Sequence, residues 1–264
     1  MKKEERQNEI LELVQKRKCS TVSELSQAVY ASEATVRRDL HILEKRGQVL
    51  LLYGNIVPTN KNPSELPLSF RENQSRDAKR RIAQFAAGMI QPNSSVLLDS
   101  SSSAMYMADY INPEHNITVF TNCIKTAIKL HERGVTVYII GGLVDSDSLI
   151  TNSAWTLEAI RTLHADYLFF SAQSLGNDGS VCGVSDYGTQ IRKCMIERTS
   201  KQYFLCNAEK VGRNSTFTLC NAASITGVIS NADLSFIPNV HCLNVDAPVG
   251  ENGQEKSTGK DDKI

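Results

Sequence analysis

Two groups of residues in this 264-residue chain could do chemistry on a partner. The first is Thr35, Arg37, Arg38 and His41, in the stretch Ser32 to Gly47, SEATVRRDLHILEKRG. Guanidinium groups donate in pairs to phosphates and guanine edges, and hydroxyl and imidazole groups add single bonds, so this set suits the reading of duplex DNA. The second group is scattered, at places where apolar runs give way to polar residues: Asp99, Ser100, Ser101, Ser102 and Ser103; Thr121 and Asn122 ahead of Cys123; and Gly141 with Gly142. Hydroxyls and backbone N–H groups at a strand-to-helix turn favour an anion, and adjacent glycines let a ligand approach the backbone. Arg192, with Lys193 beside it, and Lys210 in the NAEKVGR loop carry the positive charge a phosphate ester needs.

The first group needs a helix whose buried face is elsewhere. Val36, Leu40 and Leu43 form an i, i+4, i+7 stripe, which leaves Thr35, Arg37, Arg38 and His41 on other faces. Ser32 suits the N-cap, Glu33 suits the positive end of the helix dipole, and Gly47 ends the helix. Upstream, Thr21 caps VSELSQAVY with Glu24 as its capping-box partner, and Tyr30, Ala31 and Ser32 make the turn. Ile10, Leu13 and Val14 predict a further helix over residues 4–17, and QVLLLYGNIV reads as a β-hairpin. Three helices and a hairpin over residues 1–58 make a winged helix-turn-helix. A small helical interaction module, with both arginines merely solvated, would show the same periodicity.

The second group needs strands that end on a common side. Residues 59–77, following Pro58 and holding Pro63 and Pro67 among polar residues, read as a linker that partly docks on the second domain, and KRRIAQFAAGMI then opens a larger domain over residues 78–246. Strands SVLLD, ITVFT and VTVYIIGG alternate with helices SAMYMADYI and NCIKTAIKLHERG. Helix WTLEAIRTL, strand ADYLFFSA, a helix around TQIRKCMIERT, and strands QYFLCN and SITGVIS follow. The fold class is α/β, a mostly parallel sheet flanked by helices, behind the small N-terminal domain. Ligands of such sheets sit beyond the carboxyl ends of strands, where Asp99, Asn122 and the glycines fall. Each also has a plain structural reading: helix caps for Asp99 and Asn122, turns for the glycines, solvated surface for Arg192, Lys193 and Lys210. Residues 247–264 are polar and without apolar period, and read as a disordered tail.

Lys+Arg and Asp+Glu are 29 each, so no global field draws the chain to nucleic acid. Residues 1–60 hold ten Lys/Arg against eight Asp/Glu, so DNA affinity rests on placement, and two copies would double it. A homo-oligomer, at least a dimer, is therefore expected. The seven cysteines are scattered without a Cys-x-x-Cys pair, which points to neither a disulfide framework nor a zinc site. No metal or cofactor is expected. The N-terminus MKKEER lacks a signal-peptide core and no apolar run approaches membrane-spanning length, so a cytoplasmic location is expected.

VSELSQAVYASEATVRRDLHILEKRGQV resembles the N-terminal domain of DeoR-type bacterial transcriptional regulators: Val-x-Glu-Leu, then Ser-x-x-Thr-[Ile/Val]-Arg-Arg-Asp-Leu-x-x-Leu, then Gly. The resemblance runs from Arg6 to about Val245 and implies binding to an operator in double-stranded DNA. It also implies a sensor domain like ribose-phosphate isomerases in fold, which takes a phosphorylated sugar or related metabolite and releases DNA. The family's Leu-Asp-Ser-Gly-Thr-Thr falls on Leu98 to Ser103, its Thr-Asn on Thr121 and Asn122, and its Gly-Gly on Gly141 and Gly142. Its later lysine falls on Arg192, and its Asp-x-x-Lys-Phe-Gly on Asn207, Lys210, Val211 and Gly212. Ser101 replaces the loop glycine, Gly188 a glutamate and Asn207 an aspartate. The wing carries Leu52, Tyr53, Gly54 and Asn55 where the family has a basic residue and His-Gly-Gly, which implies fewer backbone contacts to DNA. The expected function is a repressor of a carbohydrate-metabolism operon relieved by a sugar phosphate. The rival is a sugar-phosphate isomerase with a helical appendage, using Asp99 as base and Lys210 to hold an enediolate.

Overall fold

The computed structural model describes residues 2–17, 20–52, 55–58, 68–145 and 148–247. The N-terminal unit runs α1 (Lys3–Arg17), β1 (Ser20–Thr21), α2 (Val22–Ala28), α3 (Glu33–Lys45), β2 (Val49–Leu52) and β3 (Asn55–Pro58). Local chemistry sets the ends of its helices. The Thr21 hydroxyl accepts from the Glu24 N–H at 3.1 Å while the Glu24 carboxylate accepts from the Thr21 N–H at 2.8 Å, closing the expected capping box. Ser32 Oγ accepts from the Thr35 N–H at 3.3 Å, and Gly47, at φ +66°, lets the Gln48 N–H turn back to the Leu43 carbonyl. Ile10, Val14, Leu25, Val36, Leu40, Leu43, Val49 and Ile56 meet in one core, each side chain contributing about 1.5–3 kcal/mol of burial. β2 and β3 pair antiparallel from Val49↔Pro58 to Leu52↔Asn55, and β1 adds a third strand that the sequence did not predict. The wing tip, Tyr53 and Gly54, lies outside the described residues, as does Cys19.

The larger unit begins with α4 (Leu68–Asn73) and α5 (Arg76–Gly88). A linker was expected to residue 77, yet Leu68 is buried against Met105 and Cys123, and that apolar contact folds a helix there. Residues 59–67 and 248–264, read as linker and tail, lie outside the described residues. Next come β4 (Ser95–Leu98), α6 (Ser102–Met105), β5 (Thr118–Thr121), α7 (Ile124–Glu132) and β6 (Thr136–Ile139). The helix expected over SAMYMADYI breaks after Met105 into a 3-10 turn, Tyr106–Asp109. A short hairpin, β7 (Val144–Asp145) with β8 (Ile150–Thr151), leads to α8 (Ala154–Arg161) and β9 (Ala165–Phe170). β10 (Ser174–Leu175), β11 (Ser180–Gly183), α9 (Asp186–Glu197), β12 (Thr199–Cys206), β13 (Phe217–Asn221), β14 (Gly227–Ser230) and β15 (Cys242–Asn244) complete it.

Seven strands form one sheet in the order β15-β14-β12-β9-β4-β5-β6, every neighbouring pair parallel. Side chains alternate between two cores. Tyr167, Phe169, Tyr203 and Leu205 enter the one under α5, while Leu168, Phe170, Phe204 and Cys206 enter the one under α8 and α9. Burial on both faces explains why these strands read as unbroken apolar runs. β10, β11 and β13 form a separate antiparallel sheet that the sequence did not predict. Chain order reverses between β4 and β9, so the crevice at their carboxyl ends is where the fold leaves room for a ligand.

Candidate DNA interface and effector site

Arg37 and Arg38 lie exposed on α3, and His41 is 69% exposed with Nδ1 3.5 Å from Glu44. Arg37 pairs with Glu33 one turn back at 2.9 Å, an exposed contact a phosphate can displace at little cost. Ser32 and the half-buried Thr35 bond through their hydroxyls at 2.9 Å and are committed to the cap. The residue that sequence reasoning missed is Asp39. It is buried, and its carboxylate accepts from Arg6 Nε at 2.6 Å and Gln7 Nε2 at 2.9 Å, which ties α1 to the recognition helix. Its position on the apolar face, next to Leu40 and i+3 from Val36, was the available signal.

At the sheet's reversal point Asp99, 1% exposed, accepts from the Ser101 N–H at 3.1 Å, the Ser171 N–H at 3.3 Å and Arg192 Nε at 2.7 Å. Ser171 Oγ in turn donates to the Leu205 carbonyl at 2.6 Å and accepts from Lys210 Nζ at 2.5 Å. Beside this chain Lys79, from the buried face of α5, donates to Ser102 Oγ at 3.0 Å and to the Arg71 carbonyl. Neither lysine touches a carboxylate among the described residues. Burial, and then the neighbouring Lys210 and Arg71 charges, hold Lys79 down at about 7, with Glu209 and Glu72 opposing. Burial likewise lowers Lys210 to about 8, although Cys206 and Asp99 act to raise it. Arg71 is lowered too, by burial first and then by Arg192. Lys79 is buried and Lys210 half-buried, and neither has a carboxylate in contact among the described residues, so an anion bound beside them would relieve the cost of their charge.

The remaining expected residues divide. Ser100 to Ser103 are all buried, and Ser101 sits at φ −80°, an ordinary backbone conformation that needs no glycine; its hydroxyl caps α6 through the Ala104 N–H at 3.1 Å. Thr121 is fully buried and its hydroxyl accepts from the Cys123 N–H at 3.2 Å, a turn-forming role. Asn122 donates to the Thr151 carbonyl at 3.0 Å, and its Oδ1 is buried without a partner, as is Oδ1 of Asn207. Each is an acceptor that a donor group would satisfy. The two glycines differ: a Cβ at Gly142 would lie 2.1 Å from Thr156 Oγ1, so that residue packs against the start of α8, whereas a Cβ at the exposed Gly141 would meet nothing within 4 Å. At Gly188 a Cβ would lie 3.3 Å from Arg192 Nη1, so an acidic side chain there would bear on the guanidinium. Lys193 is exposed and outside the cluster. Arg71, Lys79 and Ser171 were missed. Ser171 follows a strand end, and Lys79 shares a helical face with Ile82, Ala83 and Ala86.

The lysine values set a pH dependence. A lysine lowered from 10.5 to about 7 is uncharged in the fold at pH 9 and charged in the unfolded chain, so folding stability falls as pH drops from about 10 to about 7. Below that the ammonium is restored and an anion is drawn in. A phosphate monoester, with its second ionisation near ~6, should therefore raise the melting temperature most at pH 6.5 to 7 and least at pH 9, a comparison open to thermal-shift measurement.

A helix-turn-helix unit with exposed arginines on its second helix, followed by an α/β unit with cationic side chains at its sheet reversal, has the form of a two-domain DNA-binding regulator. Residues 6–61 match the DeoR-like helix-turn-helix domain and residues 74–232 the DeoR C terminal sensor domain. The chain belongs to the DeoR family of transcriptional regulators. It is 29% identical to the HTH-type transcriptional regulator GolR of Listeria innocua, over 86% of this chain and 90% of that protein. It is 25% identical to the L-fucose operon activator of Haemophilus influenzae, over 85% and 90%. With the lactose phosphotransferase system repressor of Staphylococcus aureus it shares 26% identity, over 87% and 92%. Among the described residues no helix is long and apolar enough to cross a membrane.

Proposed function

We propose that the protein is a cytoplasmic, sequence-specific repressor of a carbohydrate-metabolism operon, relieved by a phosphorylated sugar. The observation that carries the sensing half is the lysine pair, buried Lys79 and half-buried Lys210, held at Ser102 and Ser171 with no carboxylate in contact among the described residues. A phosphate dianion neutralises both. The Arg192–Asp99 pair and the free oxygens of Asn122 and Asn207 then face the sugar hydroxyls. Relatives named for lactose and fucose operons support a sugar as the rest of the molecule. Titration calorimetry against phosphorylated and unphosphorylated sugars tests this: heat should appear only with the phosphorylated set, and folded protein giving none removes the sensing claim.

The repressor acts as a homo-oligomer whose recognition helices enter successive major grooves about 34 Å apart; effector binding changes that spacing and releases the operator. Arg37→Ala and Arg38→Ala should each weaken operator binding by roughly 1–3 kcal/mol where the contact is bidentate to a base. A gel shift on the protein's own upstream region, unchanged by both, would remove the recognition-helix assignment. An isomerase reading fits the site poorly. The proposed base, Asp99, is enclosed and its carboxylate already accepts three hydrogen bonds, one from a guanidinium, so its oxygens are committed to holding the site's own groups.

A further inference from the structure

The sheet's two edges differ. β15 is three residues long and stands close to the Arg81–Asp246 ion pair, 2.9 Å, which blunts it. β6, Thr136-Val-Tyr-Ile139, is bare, with Tyr138 58% and Ile139 48% exposed on its opposite faces. At its carboxyl end the β7–β8 hairpin and the first turn of α8 continue the patch with Leu143, Val144, Leu149 and Trp155, the last 80% exposed. β6 carries no lysine, proline or other device that natural edge strands use against pairing.

We propose that a second copy of this chain covers the β6 edge, strand β6 running antiparallel to its own counterpart about a two-fold axis, with hairpin and Trp155 closing over the seam. An edge strand has outward N–H and C=O groups that a strand satisfies, and a two-fold axis makes one apolar patch its own complement. The six side chains, 46% to 80% exposed, form a patch of roughly several hundred Å², the size that marks an interaction site, and strand pairing along β6 would add backbone area toward the about 800 Å² per partner of a stable interface. The patch is also continuous with the effector site. The Asn122 carbonyl accepts from the Thr151 N–H at 2.8 Å and the Leu149 carbonyl from the Ile124 N–H at 2.9 Å, so the residue with the free amide oxygen holds the hairpin. This inference rests on the regulator reading only for its purpose, the pairing of two recognition helices.

Trp155 is the chain's one tryptophan, so its fluorescence reports on the interface without labelling. Full-length protein under reducing conditions should sediment as a dimer or a multiple of it, with blue-shifted, quencher-protected Trp155 emission that becomes exposed on dilution. Ile139→Lys and Leu143→Glu should each shift the protein to the smaller species and expose Trp155 at the undiluted concentration. Leu143 is 74% exposed, so its variant tests the seam with the fold intact, as circular dichroism would verify. A wild type that is monomeric throughout overturns the proposal, as does an oligomer in which Trp155 stays freely quenched, or one that survives both variants. Loss of the dimer claim with operator binding retained leaves the regulator reading standing. A β6 dimer that binds no upstream DNA leaves the interface standing and removes the other.

Discussion

Lys79→Met and Lys210→Met should each lower affinity for the phosphorylated effector by roughly 10- to 150-fold, the range for one hydrogen bond to a charged group. Titration calorimetry gives the affinity, and effector-induced release of operator in a gel shift should weaken in parallel. Operator binding without effector should stay at the wild-type level, since neither lysine is in the helix-turn-helix unit. A second signature separates a ligand seat from a structural role. Each lysine is enclosed and repelled by its neighbour in the empty protein, so the neutral methionine should raise the melting temperature even as it lowers affinity. Lower stability together with unchanged affinity would show that the lysines hold the fold instead.

Asp39→Ala should be the most damaging single change in the N-terminal unit, costing roughly 2–4 kcal/mol. Removing one partner of a buried pair costs about 3–5 kcal/mol, discounted here because the Arg6 side chain remains 16% exposed. The change strips the partner from Gln7 as well, which is 2% exposed. Denaturant unfolding should show the loss, and operator binding should fall although residue 39 faces away from DNA. Asp39→Asn, which keeps an acceptor for Gln7, should recover part of both. A stability loss within about 0.5 kcal/mol, the range of ordinary surface substitutions, would mean that α1 and α3 are held by their aliphatic contacts alone.

The helix-turn-helix was legible because its signals are local: the capping box at Thr21 and Glu24, the cap at Ser32 and the stop at Gly47 act within a few residues. The parallel strands were legible because burial on both faces leaves continuous apolar runs. The antiparallel sheet of β10, β11 and β13 was not, since its strands are short and set among Gly, Asn and Asp residues that read as turns. For the site, the rule of strand ends pointed to Asp99 and Asn122, charge in the NAEKVGR loop pointed to Lys210, and Ser171 obeys the strand-end rule as well. It failed for Arg71 and Lys79. Each belongs to a helix packed at the strand ends from outside the sheet, a placement that only tertiary contact decides. At Gly142, unlike Gly141, the space that the missing side chain leaves is taken by Thr156 and Ser153, a neighbourhood no local signal announces.

The parallel sheet supplies rigidity, whereas the polar groups proposed to meet the effector hang from connections beyond it: Asn122, Ser171, Asn207 and Lys210 each stand past the last residue of a different or shared strand. Exchanging one such group need not disturb a single ladder hydrogen bond. Asparagine at 207 is a cheap edit on that account, and it alters the charge offered beside Lys210 without touching the sheet. Ligand preference can thus be retuned on the connections while the scaffold that carries them, and the helix-turn-helix unit before it, stays as it is.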